Sequence, residues 1–142
     1  MSTVLVCSDV PALRTDIRRT IESADVEVDE VASGPECLDH VKTHDVDLVV
    51  VDLQVASMGG MAICMDLRHL ESFGAIERIP VLMLLDRRAD VFLARRSGAE
   101  GFVLKPVDPI SLRRAVRALL DGDEYEDTAR TPVTVPARSS TP

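Results

Sequence analysis

The chain contains no tryptophan, a single tyrosine and three phenylalanines in 142 residues. Its core therefore has to be built from Val, Leu, Ile, Met and Ala. Lysine is also scarce: of the 16 basic residues only Lys42 and Lys105 are lysines. No apolar run approaches the ~20 residues that a bilayer-spanning helix requires. Met1-Ser2-Thr3 carries no basic segment and leads straight into an apolar run, which predicts a cytoplasmic rather than a secreted protein. The three cysteines, Cys7, Cys37 and Cys64, have neither paired nor metal-like spacing. They read as small buried hydrophobes in a reducing compartment. A formal net charge of −8 argues against nucleic acid as the main partner.

Apolar residues, by contrast, make up 46% of the chain, enough for one folded domain. They fall into short runs: Val4-Leu5-Val6-Cys7, Leu48-Val49-Val50-Val51, Val81-Leu82-Met83-Leu84-Leu85 and Phe102-Val103-Leu104. Runs of this length without alternation suit strands buried on both faces. Val26 to Val31 alternates instead and predicts an edge strand. Between the runs lie amphipathic helical segments. Leu13, Ile17 and Ile21 stand four apart behind Pro11. Cys37, Leu38 and Val41 mark a short helix from about Pro35 to Thr43. Met61, Cys64, Leu67 and Leu70 share a face after Gly59-Gly60, and Ala89 to Arg96 forms a weaker segment. Leu112, Ala115, Val116, Leu119 and Leu120 follow Pro109. This βα alternation over residues 1–120 predicts a doubly wound parallel sheet. From Asp121 the pattern collapses into acidic, then Thr/Pro/Ser-rich sequence, which predicts a mobile tail over 121–142 with no further domain.

Each buried run ends in a polar residue: Ser8-Asp9, Asp52, Asp86 and Lys105. In open parallel sheets, ligand chemistry collects beyond the carboxyl ends of the strands. The right-handed crossover rule sets the first and third strands side by side, which brings Asp9 near Asp52. Two carboxylates ~4 Å apart repel by ~4 kcal/mol at an effective dielectric of ~20. A bound Mg²⁺ turns that repulsion into attraction, with Asp9, Asp52 and the backbone carbonyl of Gln54 as ligands. Lys105 would neutralise a phosphoryl oxygen. The chemistry this set suggests is attack by the Asp52 carboxylate on a phosphoryl group, giving an acyl phosphate. The plainer reading is that Asp9 and Asp52 only cap the segments that follow them.

In order, Val-Leu-Val-Cys-Ser-Asp-Val-Pro, Asp-Leu-Val-Val-Val-Asp-Leu-Gln, Ile-Pro-Val-Leu-Met-Leu and Gly-Ala-Glu-Gly-Phe-Val-Leu-Lys-Pro resemble the receiver domain of bacterial two-component response regulators. The likeness covers residues 3–120. It implies a flavodoxin-like (βα)5 fold with a five-stranded parallel sheet in the order 2-1-3-4-5. It further implies Asp52 as phosphoacceptor, Asp9 as a metal ligand and Lys105 as the partner of the phosphoryl group. The implied partners are a histidine kinase or a phosphotransfer protein, and a downstream protein or a second copy on the face of the fourth helix, fifth strand and fifth helix. Seven arginines, from Arg87 to Arg117, cluster in those last helical segments.

The departures from the family pattern are specific. The first of the usual two acids is Ser8, which brings no charge. The switch hydroxyl is Leu85, followed by Asp86 instead of a small residue, and the switch aromatic is Phe102. A hydrogen bond to a charged group is worth ~1.5–3 kcal/mol, and a switch from 1:99 to 99:1 needs ~5.5 kcal/mol. Leu85 thus removes a large part of the driving force without touching the nucleophile. Asp86 is either the N-cap of the fourth helix or a carboxylate that reaches Lys105 in place of a phosphoryl group. These departures keep open a second function, an interaction module indifferent to phosphorylation. A phosphatase of the haloacid-dehalogenase type needs an acid where Gln54 stands, so a non-enzymatic role is expected. His40 and His44 stand four apart, but no third metal ligand accompanies them.

Overall fold

The structure, a computed structural model, describes residues 1–55 and 58–127. Its elements are β1 (Ser2–Cys7), α1 (Pro11–Ile21), β2 (Val26–Val31), α2 (Gly34–Thr43), β3 (Leu48–Asp52) and α3 (Gly60–Ser72). They continue with β4 (Val81–Leu85), a 3-10 turn (Arg88–Asp90), α4 (Val91–Ser97), β5 (Gly101–Leu104), α5 (Pro109–Leu120) and β6 (Tyr125–Glu126). All strands are parallel, in the order β2-β1-β3-β4-β5-β6. β2 lies at an edge, as its alternating pattern predicts.

The period-two geometry of the strands sorts the core into two layers. Leu5, Cys7, Val49, Val51, Val81, Met83, Leu85, Phe102 and Leu104 join Cys37 of α2, Ile63, Cys64 and Leu67 of α3, and Ala94 of α4. Val4, Val6, Val28, Leu48, Val50, Leu82, Leu84 and Val103 join Ile17 and Ile21 of α1 and Leu112, Ala115, Val116 and Leu119 of α5. The continuous Val/Leu runs are thus needed because both faces are covered. The three cysteines are free and buried. The neighbouring Cys37 thiol and burial both push the Cys7 thiol up, and burial pushes Cys64 up, so neither is poised as a thiolate.

Local chemistry sets the helix starts. Ser33 accepts from the Glu36 N–H at 3.3 Å at the head of α2, and Asp108 accepts from the Ser111 N–H at 2.9 Å at the head of α5. Pro11, Pro35 and Pro109 occupy first turns, where no amide bond is lost. α4 differs from its expected span. It begins as a 3-10 turn, covers Val91–Ser97, and stops at Gly98, whose φ of +84° suits only glycine well.

The largest departure follows α5. A mobile tail is expected from residue 121, and five strands in the sheet. Tyr125 and Glu126 instead pair with Gly101 and Phe102 as a sixth strand. The polar sequence of this segment hides its strand character, which comes from the bare edge of β5 together with partial packing of Tyr125 on the core. The remainder of the expected tail, 128–142, lies outside the described residues. Among the described residues no helix is long and apolar enough to cross a membrane.

Candidate functional site

Parallel pairing brings the carboxyl ends of β1, β3, β4 and β5 to one rim. Cys7 pairs with Val51, Asp52 with Leu84, and Leu85 with Leu104. Of the residues that follow, Ser8 and Lys105 therefore meet at Asp52, and Asp86 meets Lys105. Lys105 Nζ lies 2.7 Å from Asp52 Oδ1 and 3.1 Å from Asp86 Oδ1. Burial works to lower the Lys105 pKa, but the hydrogen bonds to Asp52 and Asp86 outweigh it, and the net displacement is upward. The ammonium stays charged.

Asp52 is only 1% exposed, so its charge has to be matched by donors. Both oxygens are matched. The Gln54 backbone N–H donates to Oδ1 at 3.0 Å, alongside Lys105. The fully buried Ser8 donates its hydroxyl to Oδ2 at 3.3 Å and accepts the Val10 N–H at 3.1 Å. Ser8 thus binds Asp52 directly, and Gln54 touches it through its amide. Asp9, one residue beyond Ser8 on the same rim, is exposed, and no hydrogen bond or ion pair holds it among the described residues.

One further feature of the site was not legible in sequence, and one open alternative is decided. A Cβ on Gly60 would sit 2.6 Å from the Asp52 carbonyl oxygen and 2.9 Å from Leu53 Cα. The head of α3 therefore presses against the strand end that presents Asp52, and only glycine allows it. The Asp86 carboxylate, moreover, does not cap the fourth helix. The 3-10 turn is preceded by Arg87, and α4 by Asp90. That corrects the capping alternative. The Asp86 side chain turns instead to the half-buried Lys105 ammonium 3.1 Å away, while the Asp90 carboxylate accepts the Arg87 N–H at the head of the 3-10 turn.

Leu85 and Phe102 lie on the other face of the sheet from Asp52's own layer, packed in one cluster with Ala94. Leu85 is fully buried and Phe102 is 6% exposed. The position from which a hydroxyl would act is thus part of the apolar core, and the aromatic is already inward.

A hard divalent cation commonly takes one or two carboxylates and keeps most of its water. Asp52 and the unpaired Asp9 match that minimum, with the Ser8 hydroxyl in place of a third acid. Among the described residues no group of three or more His, Cys, Asp or Glu is arranged to hold a metal. The donor set therefore fits a cation that is weakly held and largely hydrated. His40 is engaged with Asp29 at 2.9 Å and stacks on His44, a structural role. Several of the clustered arginines are also engaged: Arg87 with Asp90, Arg95 with Glu126, and Arg113 with the Thr20 carbonyl.

The sequence pattern of the response regulator receiver domain matches residues 4–117. The chain belongs to this family. As a receiver domain it is 31% identical over 134 residues to the nitrate/nitrite response regulator NarL of Escherichia coli, covering 93% of this chain and 61% of that protein. It is 31% identical over 125 residues to the DNA-binding response regulator MtrA of Mycolicibacterium smegmatis, covering 87% of this chain and 52% of that protein. The chain thus spans roughly half to three fifths of these relatives. The signal receiver domain of a putative NarL from Mycobacterium tuberculosis superposes with a TM-score of 0.75 at 28% identity, covering 85% of this chain and 97% of that one. The chemotaxis regulator CheY4 of Vibrio cholerae shares the flavodoxin-like fold, with a TM-score of 0.73 at 24% identity and coverage of 82% and 97%. Receiver domains are signalling modules of two-component systems.

Proposed function

We propose that this receiver accepts a phosphoryl group on Asp52 in a cytoplasmic two-component phosphorelay and signals through protein contacts. The observation that carries the reading is the 2.7 Å pair between Lys105 and a buried Asp52 at the carboxyl rim of the sheet. A carboxylate oxygen of Asp52 attacks the phosphorus of a phosphohistidine on a histidine kinase or phosphotransfer protein. The P–N bond breaks and an acyl phosphate forms. Once esterified, Asp52 no longer balances Lys105, whose charge is then available to the phosphoryl oxygens. The Gln54 N–H and the Ser8 hydroxyl hold the carboxylate in one orientation, so little ordering remains to be done. When bound, Mg²⁺ supplies neutralisation of the phosphoryl oxygens; Asp9, Asp52 and the Gln54 carbonyl are the residues that would hold it. Purified protein given Mg²⁺ and a small acyl-phosphate donor is expected to gain one phosphate by intact mass, and Asp52→Asn none. Absence of an adduct with every donor would overturn the reading.

One observation favours a second reading, an interaction module whose state does not depend on phosphate. Asp86 already supplies Lys105 with an anion, while Leu85 and Phe102 are locked in the core. In that case Mg²⁺ titration shows no binding in the millimolar range, and partner capture is the same for wild type and Asp52→Asn.

A further inference from the structure

We propose that Tyr125–Asp127 is an acidic latch docked in cis on the edge of β5, and that the same edge takes an extended acidic segment of a partner protein when the latch is displaced. A bare sheet edge offers unpaired N–H and C=O groups to any extended chain. Here the latch reads that edge in three ways. The Tyr125 N–H donates to the Glu100 carbonyl at 3.2 Å, and the strands pair in register at Gly101 and Phe102. The Leu104 N–H donates to Asp127 Oδ2 at 3.1 Å. The Arg95 guanidinium forks onto Glu126, with Nε–Oε2 at 3.1 Å and Nη2–Oε1 at 2.7 Å. The approach is close enough that a Cβ on Gly101 would sit 2.7 Å from the Tyr125 carbonyl oxygen. What the edge recognises is therefore an extended backbone carrying two consecutive carboxylates, one for a guanidinium and one for a main-chain amide.

The latch is held loosely. It pairs through two residues only, and both ends of the Arg95–Glu126 pair are well exposed, where ion pairs contribute little. Asp127 is 3% exposed, and its Oδ1 is buried with no hydrogen-bond partner among the described residues. Leaving a buried acceptor unmet is costly, and release returns it to water. Release also strips the Leu104 N–H and frees Arg95, so the replacement has to bring acceptors of its own. Beside the latch an open cavity of about 350 Å³, lined in part by Arg88, Phe92, Arg95 and Leu104, has room for a partner side chain.

The test uses the full chain and two separate variants, Glu126→Ala and Asp127→Ala, with amide exchange read at Leu104 and, as a fold reference, at Val4–Val6. Leu104 exchange is expected to rise about tenfold in both, the weight of one hydrogen bond, with the reference unchanged. Glu126→Ala leaves the buried carboxylate in place and reports even where Asp127→Ala does not fold. The peptide Asp-Glu-Tyr-Glu-Asp added in trans is expected to restore Leu104 protection in the variants, whereas Asn-Gln-Tyr-Gln-Asn is not. Unchanged Leu104 exchange overturns the latch. Faster exchange without rescue by the acidic peptide overturns the docking role of the edge.

Discussion

Lys105 is shared between two carboxylates, 2.7 Å from Asp52 Oδ1 and 3.1 Å from Asp86 Oδ1. Asp52 is buried and Asp86 partly exposed, so the arrangement sets an internal anion beside the acceptor. A phosphoryl group arriving on Asp52 meets that like charge and has to draw Lys105 away from it. Asp86→Ala removes both obstacles. Formation of the acyl phosphate from a small donor is expected to speed about tenfold, the equivalent of ~1.4 kcal/mol. Time-resolved intact mass measures it, and equal rates for the two proteins would count against a role for Asp86.

Ser8 stands where a third acid would complete a cation site, and its hydroxyl donates to Asp52 Oδ2. Ser8→Asp exchanges that donor for a charge in a fully buried position. In EDTA the variant is expected to melt lower than wild type. Millimolar Mg²⁺ should restore it, with a Kd at least about tenfold tighter than that of wild type. A melting temperature indifferent to Mg²⁺ in the variant would sink the assignment of this rim as a cation site.

Leu85 is fully buried in the cluster that contains Phe102 and Ala94. Phosphorylated wild type is therefore expected to differ little from the free form in amide exchange over α4. Leu85→Thr should cost about 2–4 kcal/mol of stability through lost packing and a buried hydroxyl. The same variant should make α4 exchange respond to phosphorylation. A large response of α4 in wild type would show that a leucine does not disable the switch.

Gly60 lets α3 approach the backbone of Asp52 to a distance no Cβ tolerates. Gly60→Ala is expected to destabilise by about 1–3 kcal/mol and to slow phosphate uptake, because the strand end that aims Asp52 has to shift. Denaturant midpoints and initial rates of uptake report the two effects separately.

Glu30 on β2 accepts from Arg18 at 2.6 Å and Arg14 at 3.1 Å on α1. Arg18 first, then Arg14, hold its carboxyl below the ordinary value of 4.5. A depressed carboxylate stabilises above its unfolded-state value and ceases to as pH falls through its folded-state value. The stability advantage of wild type over Glu30→Gln should thus be full at neutral pH and vanish in acid below 4.5. Solvent screening keeps it to about 1 kcal/mol or less. A constant difference across that range would exclude the linkage.

Much of the layered fold could be read from residue order. Val4–Cys7, Leu48–Val51 and Val81–Leu85 are apolar without alternation because both their faces are covered, and burial of that kind leaves a local mark in sequence. Lys105 stood out for a similar reason. A rare lysine at a strand end has few roles, and parallel topology sends every strand end to one rim.

Other features depend on partners distant in the chain, and no local pattern encodes them. Asp86 has the same chemistry whether it caps a helix or meets Lys105; the fold chose Lys105 by placing an ammonium 3.1 Å away. Gly60 looks like a turn residue until the Asp52 carbonyl is found beneath it. Tyr125-Glu126-Asp127 is polar enough to pass for solvated chain. It becomes a strand because β5 has an open edge, Arg95 a free fork and Leu104 an amide in need of an acceptor. Apolar burial is a property of the residue and shows in order alone, whereas pairing of charges and edges is a property of two places and exists only once the chain has closed on itself.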